Sequence, residues 1–543
     1  MTSTAPHATT EPDPTWRATV RARLVPPSPF PAWVGWASAL AVALFAGVLR
    51  FVGLGRPGEI YFDETYYAKN ALALWVFGYE HETVEDADAQ LATGNGDIWS
   101  GGADFVVHPP LAKWMIAAGD WLWGLLPMTE PVEPAGWRMA AAVFGTLSVL
   151  LLVRVAQRMT RSWLLGSAAG LIMALDGLHF TLSRIAMVDV FLTFWILAGF
   201  TCLVIDRDRT RARLARLAEQ GSTGANWLGV RWWRIAAGVC LGAAIGCKWS
   251  ALFYLAAFGL LTVAWDYGAR RSAGHHRTAL RWFGFDAVPA FFQTVGVAAV
   301  TYLATWSGWL ATSGGYGRTW GEQHMAGWLA DLPGWVQGPV NGLRSLAYYH
   351  QQMYTFHSGL SKPHDYASQP WEWIIMRTPV AFYYNDQPST CGQPDCSTTI
   401  LSVGTPAVWW LGIVALLVML GWWLTYRDWR AGAVLLGVAA GWLPWFAYPD
   451  RTMFVFYALP MLPFLVLAIT MAIGLAMGAA DSRPEFAPWS RVAGGVVFGV
   501  VLLLVIANFA YLYPVLSAET ITYEAWADRM WFQTWIYGNG GEG

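Results

Sequence analysis

The stretch YFDETYYAKNALAL, residues 61–74, follows an apolar run at 33–52 and opens on two adjacent carboxylates, Asp63 and Glu64. A run of ~20 apolar residues is long enough to span the hydrocarbon of a bilayer. Acidic side chains close to such a run are costly and usually mark function. The residues after them, TYYAKNALALWVF, have a helical apolar spacing suited to lying on a membrane surface. A carboxylate at that boundary is partly desolvated, which raises its pKa towards that of a useful general base, yet it still meets water-soluble substrate. The same two acids could equally cap a helix N-terminus, where free N–H groups attract negative charge.

Working outward, only 13% of the 543 residues are Asp, Glu, Lys or Arg, about half the ~25% of soluble domains. Mean hydropathy is +0.37. The 35 tryptophans suit a chain with many membrane–water boundaries. Eleven apolar runs read as spans, at 33–52, 137–155, 163–180, 185–205, 232–247, 249–266, 287–305, 405–425, 431–447, 453–477 and 492–513. Two of them, 163–180 and 431–447, are short or broken, by Asp176 and Pro444. The run 111–127 reads instead as a surface-lying helix, opened by His108-Pro109-Pro110 and ended by Pro127. The expected class is an all-α polytopic membrane protein. The net charge of −2 implies no nucleic-acid partner.

Basic connections stay on the cytoplasmic side. Here they are Arg154–Arg161, 207–216, 269–281, Arg427 with Arg430, and Arg483 with Arg491. Eleven spans with a cytoplasmic N-terminus put all of them on one side. The expected organisation is a cytoplasmic tail at 1–32, a transmembrane domain at 33–515 with outer loops 53–136 and 306–404, and an extracytoplasmic tail at 516–543. The first tail is polar and Pro-rich, with Arg17, Arg21 and Arg23, and shows no cleavable signal pattern. Neither an internal repeat nor a P-loop or dinucleotide fingerprint is visible. Cys202, Cys240 and Cys247 lie in apolar runs as packing residues. Cys391 and Cys396 sit in a polar CGQPDC, where a zinc half-site has nothing to complete it and a disulfide suits an extracytoplasmic loop.

Cations gather near the same outer face. Lys113, in HPPLAKW at 108–114, sits in a first helical turn, where it opposes the dipole and needs an anionic partner, phosphate or carboxylate, unless it simply snorkels towards lipid headgroups. Arg138, at the outer end of the second run, goes against the positive-inside bias. It could fork onto a lipid phosphate or pair with a loop acid. The stretch ALDGLHFTLSRIAMVDVFLTFW at 174–195 carries Asp176, His179, Arg184 and Asp189. Arg184 and Asp189, five residues apart, point to different helix faces, and a structural ion pair is the first expectation for Asp189. Lys248 in GCKWSALF and Arg451 in YPDRTMFVFYALPMLPF complete the set. Arg138, Arg184, Lys248 and Arg451 at one depth, facing an acidic pair, would cradle a lipid-linked phosphate. His324, His350 and His357 are scattered through a Trp-rich loop without HxxxH or HExxH spacing and read as structural; no metal site is expected.

Taken in order, FDETYYAKNAL, HPPLAK, WR, DGLHFTLSRIAMVD, CKWS and RTMFVFYALPMLPF resemble the protein O-mannosyltransferases, membrane enzymes of the GT-C fold class. Eukaryotic members carry a β-trefoil in the loop corresponding to 306–404; no repeated β pattern is visible here, so the likeness is to the bacterial branch. The resemblance implies transfer of mannose, with inversion, from a polyprenyl-phosphate carrier to Ser or Thr hydroxyls of secreted or membrane proteins. It makes Asp63 the base on the acceptor hydroxyl and Glu64 a residue that places acceptor or donor. Arg138 would face the leaving phosphate, with Lys113, Lys248, Arg184 and Arg451 as further donor contacts and His108 and Asp189 in support. No cofactor is expected, since the sugar arrives activated, and nothing bears on a divalent ion. The implied location is a bacterial plasma membrane with the site extracytoplasmic. Two other readings are a related lipid-linked glycosyltransferase using another sugar or acceptor, and a transporter. Carriers place polar residues near the midplane, whereas here they gather at one face.

Overall fold

A computed structural model describes residues 19, 21–26, 29–127, 129, 132–220, 227–274, 279–387, 391–392, 395–478 and 488–541. Arg17, Arg483 and most of the tail 1–32 lie outside the described residues. Helix α1 (Ala32–Phe51) is followed by α2 (Glu64–Phe77) and α3 (Leu111–Trp123). Next come α4 (Pro134–Thr160), α5 (Trp163–Ala174), the short α6 (Gly177–Leu182) and α7 (Asp189–Glu219). They lead to α8 (Trp232–Cys247), α9 (Ala251–Ser272) and α10 (Phe283–Thr305). Helix α11 (Gly334–Gly359) precedes α12 (Pro406–Tyr426), α13 (Trp429–Ala447), α14 (Val455–Ala476) and α15 (Pro488–Leu516).

Each apolar run falls on one of these helices except 163–180, which is divided between α5 and α6. Among the described residues nine helices have the length and hydropathy to cross a bilayer, while α5 and α8 are apolar but shorter. The breaks have local causes. Asp176 ends the run at 163–180 by capping α6, its carboxylate accepting from the N–H of His179 at 3.0 Å, the N–H of Thr405 at 3.1 Å and Trp409 Nε1 at 2.9 Å. Arg184 and Asp189 read from the sequence as two residues on different faces of one helix. Instead residues 183–188 form a non-helical turn and α7 begins at Asp189. Helix α14 opens as a 3-10 turn over Val455–Met461 and becomes α-helical at Leu462, because Pro460 and Pro463 cannot donate to an α-ladder.

The segments 53–136 and 306–404, expected to be outer loops, are structured. Strands β1 (His81–Thr83) and β2 (Trp99–Ala103) pair antiparallel between α2 and α3. Further on, β3 (Val380–Asn385), β4 (Cys396–Ser402) and β5 (Thr520–Thr522) form an antiparallel sheet in that order. The tail is therefore folded, over its described residues 516–541, onto the loop at 306–404: β5 completes the sheet, and Trp535, 1% exposed, donates through Nε1 to the Met376 carbonyl at 2.9 Å. Cys391 and Cys396 are disulfide-bonded at the start of β4.

Helix α8 reaches its neighbour through glycines one turn apart. A Cβ on Gly238 would lie 2.8 Å from the carbonyl oxygens of Gln293 and Thr294, on Gly242 2.5 Å from that of Ala298, and on Gly246 2.7 Å from Thr305 Cγ2. Small residues at this spacing let two helix backbones touch where lipid supplies no hydrophobic drive. Gly242→Leu should lower thermal stability in detergent by roughly 1–3 kcal/mol or more. Gly259→Leu, whose Cβ meets nothing within 4 Å, should melt like the parent protein.

Candidate active site

Asp63 and Glu64 are adjacent in sequence and opposite in environment. Glu64 begins α2 and is fully buried. Its two oxygens accept from Arg138 Nε and Nη2, each at 2.8 Å, and Oε1 also accepts from the Ala186 N–H at 3.0 Å. Arg138 donates its other N–H groups to the carbonyls of Leu54 (3.3 Å), Pro57 (2.8 Å) and Glu59 (2.8 Å). Its guanidinium lies 4.8 Å from the Tyr61 ring centroid. All five donors are engaged within the protein, so Arg138 is not free to face a phosphate. The pair fastens the 54–64 loop to α4 and to the turn at 183–188.

Two more of the expected phosphate contacts are occupied by protein groups. Arg184 donates to the carbonyls of Arg50 (2.8 Å), Val52 (2.7 Å) and Gly53 (2.9 Å), and so satisfies the C-terminus of α1, where helix carbonyls lack partners. Lys113 is buried, forms an ion pair with Glu80 and donates to the His108 carbonyl at 3.0 Å. The anionic partner demanded by the helix dipole is thus a carboxylate of the same loop.

Asp63 differs. It occupies the N-cap position of α2, yet its side chain makes no capping bond. The preceding Phe62 has φ +52°, a left-handed backbone that is costly for a bulky residue and persists only where the surroundings impose it. Its ring is held by stacking on Phe382 at 4.3 Å and by edge contact with Phe456 at 5.9 Å. The Asp63 carboxyl is mostly buried but not sealed. Burial raises its pKa to about 6, with Asp189 pushing the same way and Lys248 opposing. Lys248, just past the end of α8, bonds Asp189 Oδ1 at 2.9 Å and lies 4.1 Å from the Tyr457 ring centroid. Asp189 therefore has the ion-pair partner expected of it, on another helix.

A row of rings extends from this pair. Tyr67, one helical turn after Asp63, lies nearly parallel to His108 with centroids 6.3 Å apart, and His108 is 5.3 Å from His357. His357 Nε2–H donates to the Val107 carbonyl at 2.8 Å, leaving Nδ1 to accept from Arg451 Nη2 at 3.2 Å. Burial, with Arg451 and Lys248 nearby, lowers the His357 pKa to about 4. Burial, then Lys248, holds His108 well below its usual value. Both imidazoles are neutral near pH 7, so Lys248 and Arg451 carry the positive charge. No carboxylate pairs with Arg451 among the described residues; it also donates to the His357 carbonyl.

Of the expected residues, the fold brings Asp63, Asp189, Lys248, His108 and Arg451 together. His357, Tyr67 and Tyr457 were not expected there. Tyr67 could have been found from its position one turn after Asp63; His357, in TFHSGL, carries no local signal. Among the described residues the arrangement offers one carboxyl without a bonded partner beside two cations, at one end of a bundle of apolar helices. Those are the parts needed to move a sugar from a phosphate leaving group to a hydroxyl.

The fold is that of the GT-C membrane glycosyltransferases. It matches the structure of the Saccharomyces cerevisiae protein O-mannosyltransferase Pmt1–Pmt2 complex bound to the sugar donor, with a TM-score of 0.66 and 15% identity over 95% of this chain and 94% of that one. A family model for dolichyl-phosphate-mannose-protein mannosyltransferase matches residues 97–271, and one for the C-terminal four-transmembrane region of protein O-mannosyltransferase matches residues 343–535. A polyprenol-phosphate-mannose–protein mannosyltransferase of Mycolicibacterium smegmatis is 36% identical over 92% of this chain and 93% of its own length. Its Mycobacterium tuberculosis counterpart is 35% identical over 92% of each. The Corynebacterium glutamicum counterpart is 31% identical over 91% of this chain and 92% of its own length. The chain belongs to the protein O-mannosyltransferase family.

Arg138→Ala would leave Glu64 buried and unpaired, at a cost of about 3–5 kcal/mol. The expected result is a large drop in melting temperature. A variant that melted normally and showed only weaker donor use would return Arg138 to the donor site.

Proposed function

We propose that this chain transfers mannose from a polyprenyl phosphate to Ser or Thr hydroxyls of proteins, with Asp63 as the base. The observation that carries the reading is the unpaired Asp63 carboxyl, with a pKa raised to about 6, beside the Lys248–Asp189 pair. The acceptor oxygen attacks the anomeric carbon as its proton passes to Asp63. The bond from that carbon to the phosphate oxygen breaks, and the departing lipid phosphate gains one negative charge. Lys248 and Arg451 face that charge. Asp189 orients Lys248, and neutral His357 holds Arg451 without adding a charge of its own. Attack from the side opposite the phosphate inverts the anomeric centre. Asp63 then releases its proton to water.

The carboxylate at 63 also separates two neighbouring roles. Glu64, already saturated by Arg138 and the Ala186 N–H, acts on position and not on protons. The basic connections support a cytoplasmic N-terminus, and on that reading Asp63 faces the extracytoplasmic side of a bacterial plasma membrane. Acceptor proteins would meet it as they leave the bilayer.

A base must be ionised to act, so transfer should fall as pH drops through the folded pKa. With purified enzyme, a mannosyl polyprenyl phosphate and a Ser/Thr-rich peptide, kcat/KM should show an acid limb near pH 6 and a plateau above it. Lys248 lowers the Asp63 pKa, so Lys248→Met should move the limb to higher pH; a limb that stayed in place would separate Lys248 from the base. Asp63→Asn should abolish transfer. It should also melt no lower than the parent at pH 7.5, since a carboxyl whose folded pKa is raised weakens the fold once pH exceeds its unfolded value. Near-normal turnover by Asp63→Asn would remove it as the base, and labelling of some other acceptor in place of the peptide would redirect the assignment. Arg451→Ala should raise the donor KM about 10- to 100-fold, the loss of one charge-assisted contact.

A further inference from the structure

The end of the bundle remote from Asp63 contains a cavity of about 760 Å³, where the N-terminal segment meets α4, α7 and the start of α13. Helix α4 links the two ends: Arg138 and Arg154 are 16 residues apart, roughly 24 Å at about 1.5 Å per residue. Eight arginines line the cavity, against two aspartates. Both aspartates are already engaged. Asp208 is shared by Arg158 at 3.0 Å and Arg207 at 3.2 Å, and Asp428 takes Arg430 at 2.8 Å. Among the described residues Arg23, Arg154, Arg161, Arg209 and Arg211 have no carboxylate at ion-pairing distance.

This excess is local. At the same end, Arg231 and Arg234 face Asp206 and Asp266 in a balanced cluster, with Arg231 Nη1 to Asp266 Oδ2 at 2.6 Å and Arg234 Nη2 to the same oxygen at 2.5 Å. The cavity's positive charge is also partly desolvated. The Arg207 side chain is 10% exposed and its guanidinium lies 3.5 Å from the Trp429 ring centroid. Unbalanced charge beside a bilayer is costly unless an anion meets it.

The surroundings fit a lipid better than a soluble anion. Arg154 stacks on Trp36 at 4.0 Å, and on the outward face of α1 Trp36 is 49% and Trp33 72% exposed. Exposed tryptophans at the start of a spanning helix mark the headgroup level. Leu24, Phe30 and Ala32 line the cavity on that flank. Basic pockets between helices at this level are suited to phosphate headgroups, and the volume lies within the usual range of about 300–1,000 Å³ for ligand sites.

We propose that this cavity seats the phosphate headgroup of an anionic lipid from the leaflet at that end of the bundle. It is a second phosphate site, separate from the one that receives the sugar donor. Its occupant neutralises the arginine excess and ties the N-terminal segment, held by Arg211 through the Arg23 carbonyl at 2.8 Å, to α7.

The test uses the full-length protein in neutral detergent, titrated with phosphatidylglycerol, phosphatidylcholine or inorganic phosphate. Binding is read by native mass spectrometry and thermal unfolding. Phosphatidylglycerol should bind and stabilise at least about tenfold more strongly than phosphatidylcholine, and Arg161→Gln and Arg209→Gln should each weaken it about fivefold. Mannosyl transfer by these variants, which lie far from Asp63, should be unchanged and reports that they fold; the exposed Arg209→Gln carries the test alone if the other does not. Equal binding of the two lipids, or unchanged affinity in the variants, overturns the site. Inorganic phosphate that stabilised as well as phosphatidylglycerol and displaced it would assign the cavity to a soluble anion and overturn the lipid.

Discussion

Glu64 and Arg138 place opposite charges where neither side chain reaches solvent. Desolvating one ion costs several kcal/mol, and only a well-formed partner with every remaining bond satisfied recovers it. Here each bond is satisfied: two N–H groups and a backbone amide on the carboxylate, two carboxylate oxygens and three carbonyls on the guanidinium. Three separate stretches of chain converge on that contact, the loop after α1, the start of α4 and the turn before α7. Asp63 precedes Glu64 and inherits its position. The neighbouring carboxylates thus divide the work: one is immobilised by charge, and the other is left unbonded in the place so defined.

The same division governs the cations. Arg138, Arg184 and Lys113 are consumed by the fold, which leaves Lys248 and Arg451 beside Asp63. Each of these is held by a partner that suits a phosphate site. Asp189 fixes Lys248 with one charge, while His357 fixes Arg451 with a lone pair and no charge. His357 can do so because its other nitrogen donates to the Val107 carbonyl, which settles the tautomer. Two acids, Asp63 and Asp189, face two cations, and a bound phosphate would bring the negative charge that the described residues do not themselves place against Arg451.

How much was legible in the sequence depended on range. Apolar runs located the helices, since a bilayer sets their length. Asp176 and the prolines at 460 and 463 marked real breaks, since capping and missing N–H groups act locally. The likeness to the mannosyltransferases rested on short motifs read in order, and the relatives support it. Pairing was not legible. Lys113 demanded an anion, but sequence spacing could not decide between Glu80 and a phosphate. Arg138 was open between a phosphate and a loop acid, and the choice rests on Glu64 lying 74 residues away. Arg184 was placed on a helix that starts five residues later, because an apolar run does not show where carbonyls at the end of α1 need donors. His357 contributes through a fold-level approach between α11 and the loop at 107–108.

The sheet that joins β3, β4 and β5 has a temporal consequence. Its middle strand precedes α12, while β5 and the Trp535 anchor follow α15, so four long apolar helices must be inserted between them. Phe382 of β3 supports Phe62, which turns the chain into Asp63. The layer behind Asp63 is therefore finished only when ribosomal synthesis has passed residue 535 and the last helix has been handed to the membrane. A nascent chain that already holds Asp63, Lys248 and Arg451 lacks that closing strand until then.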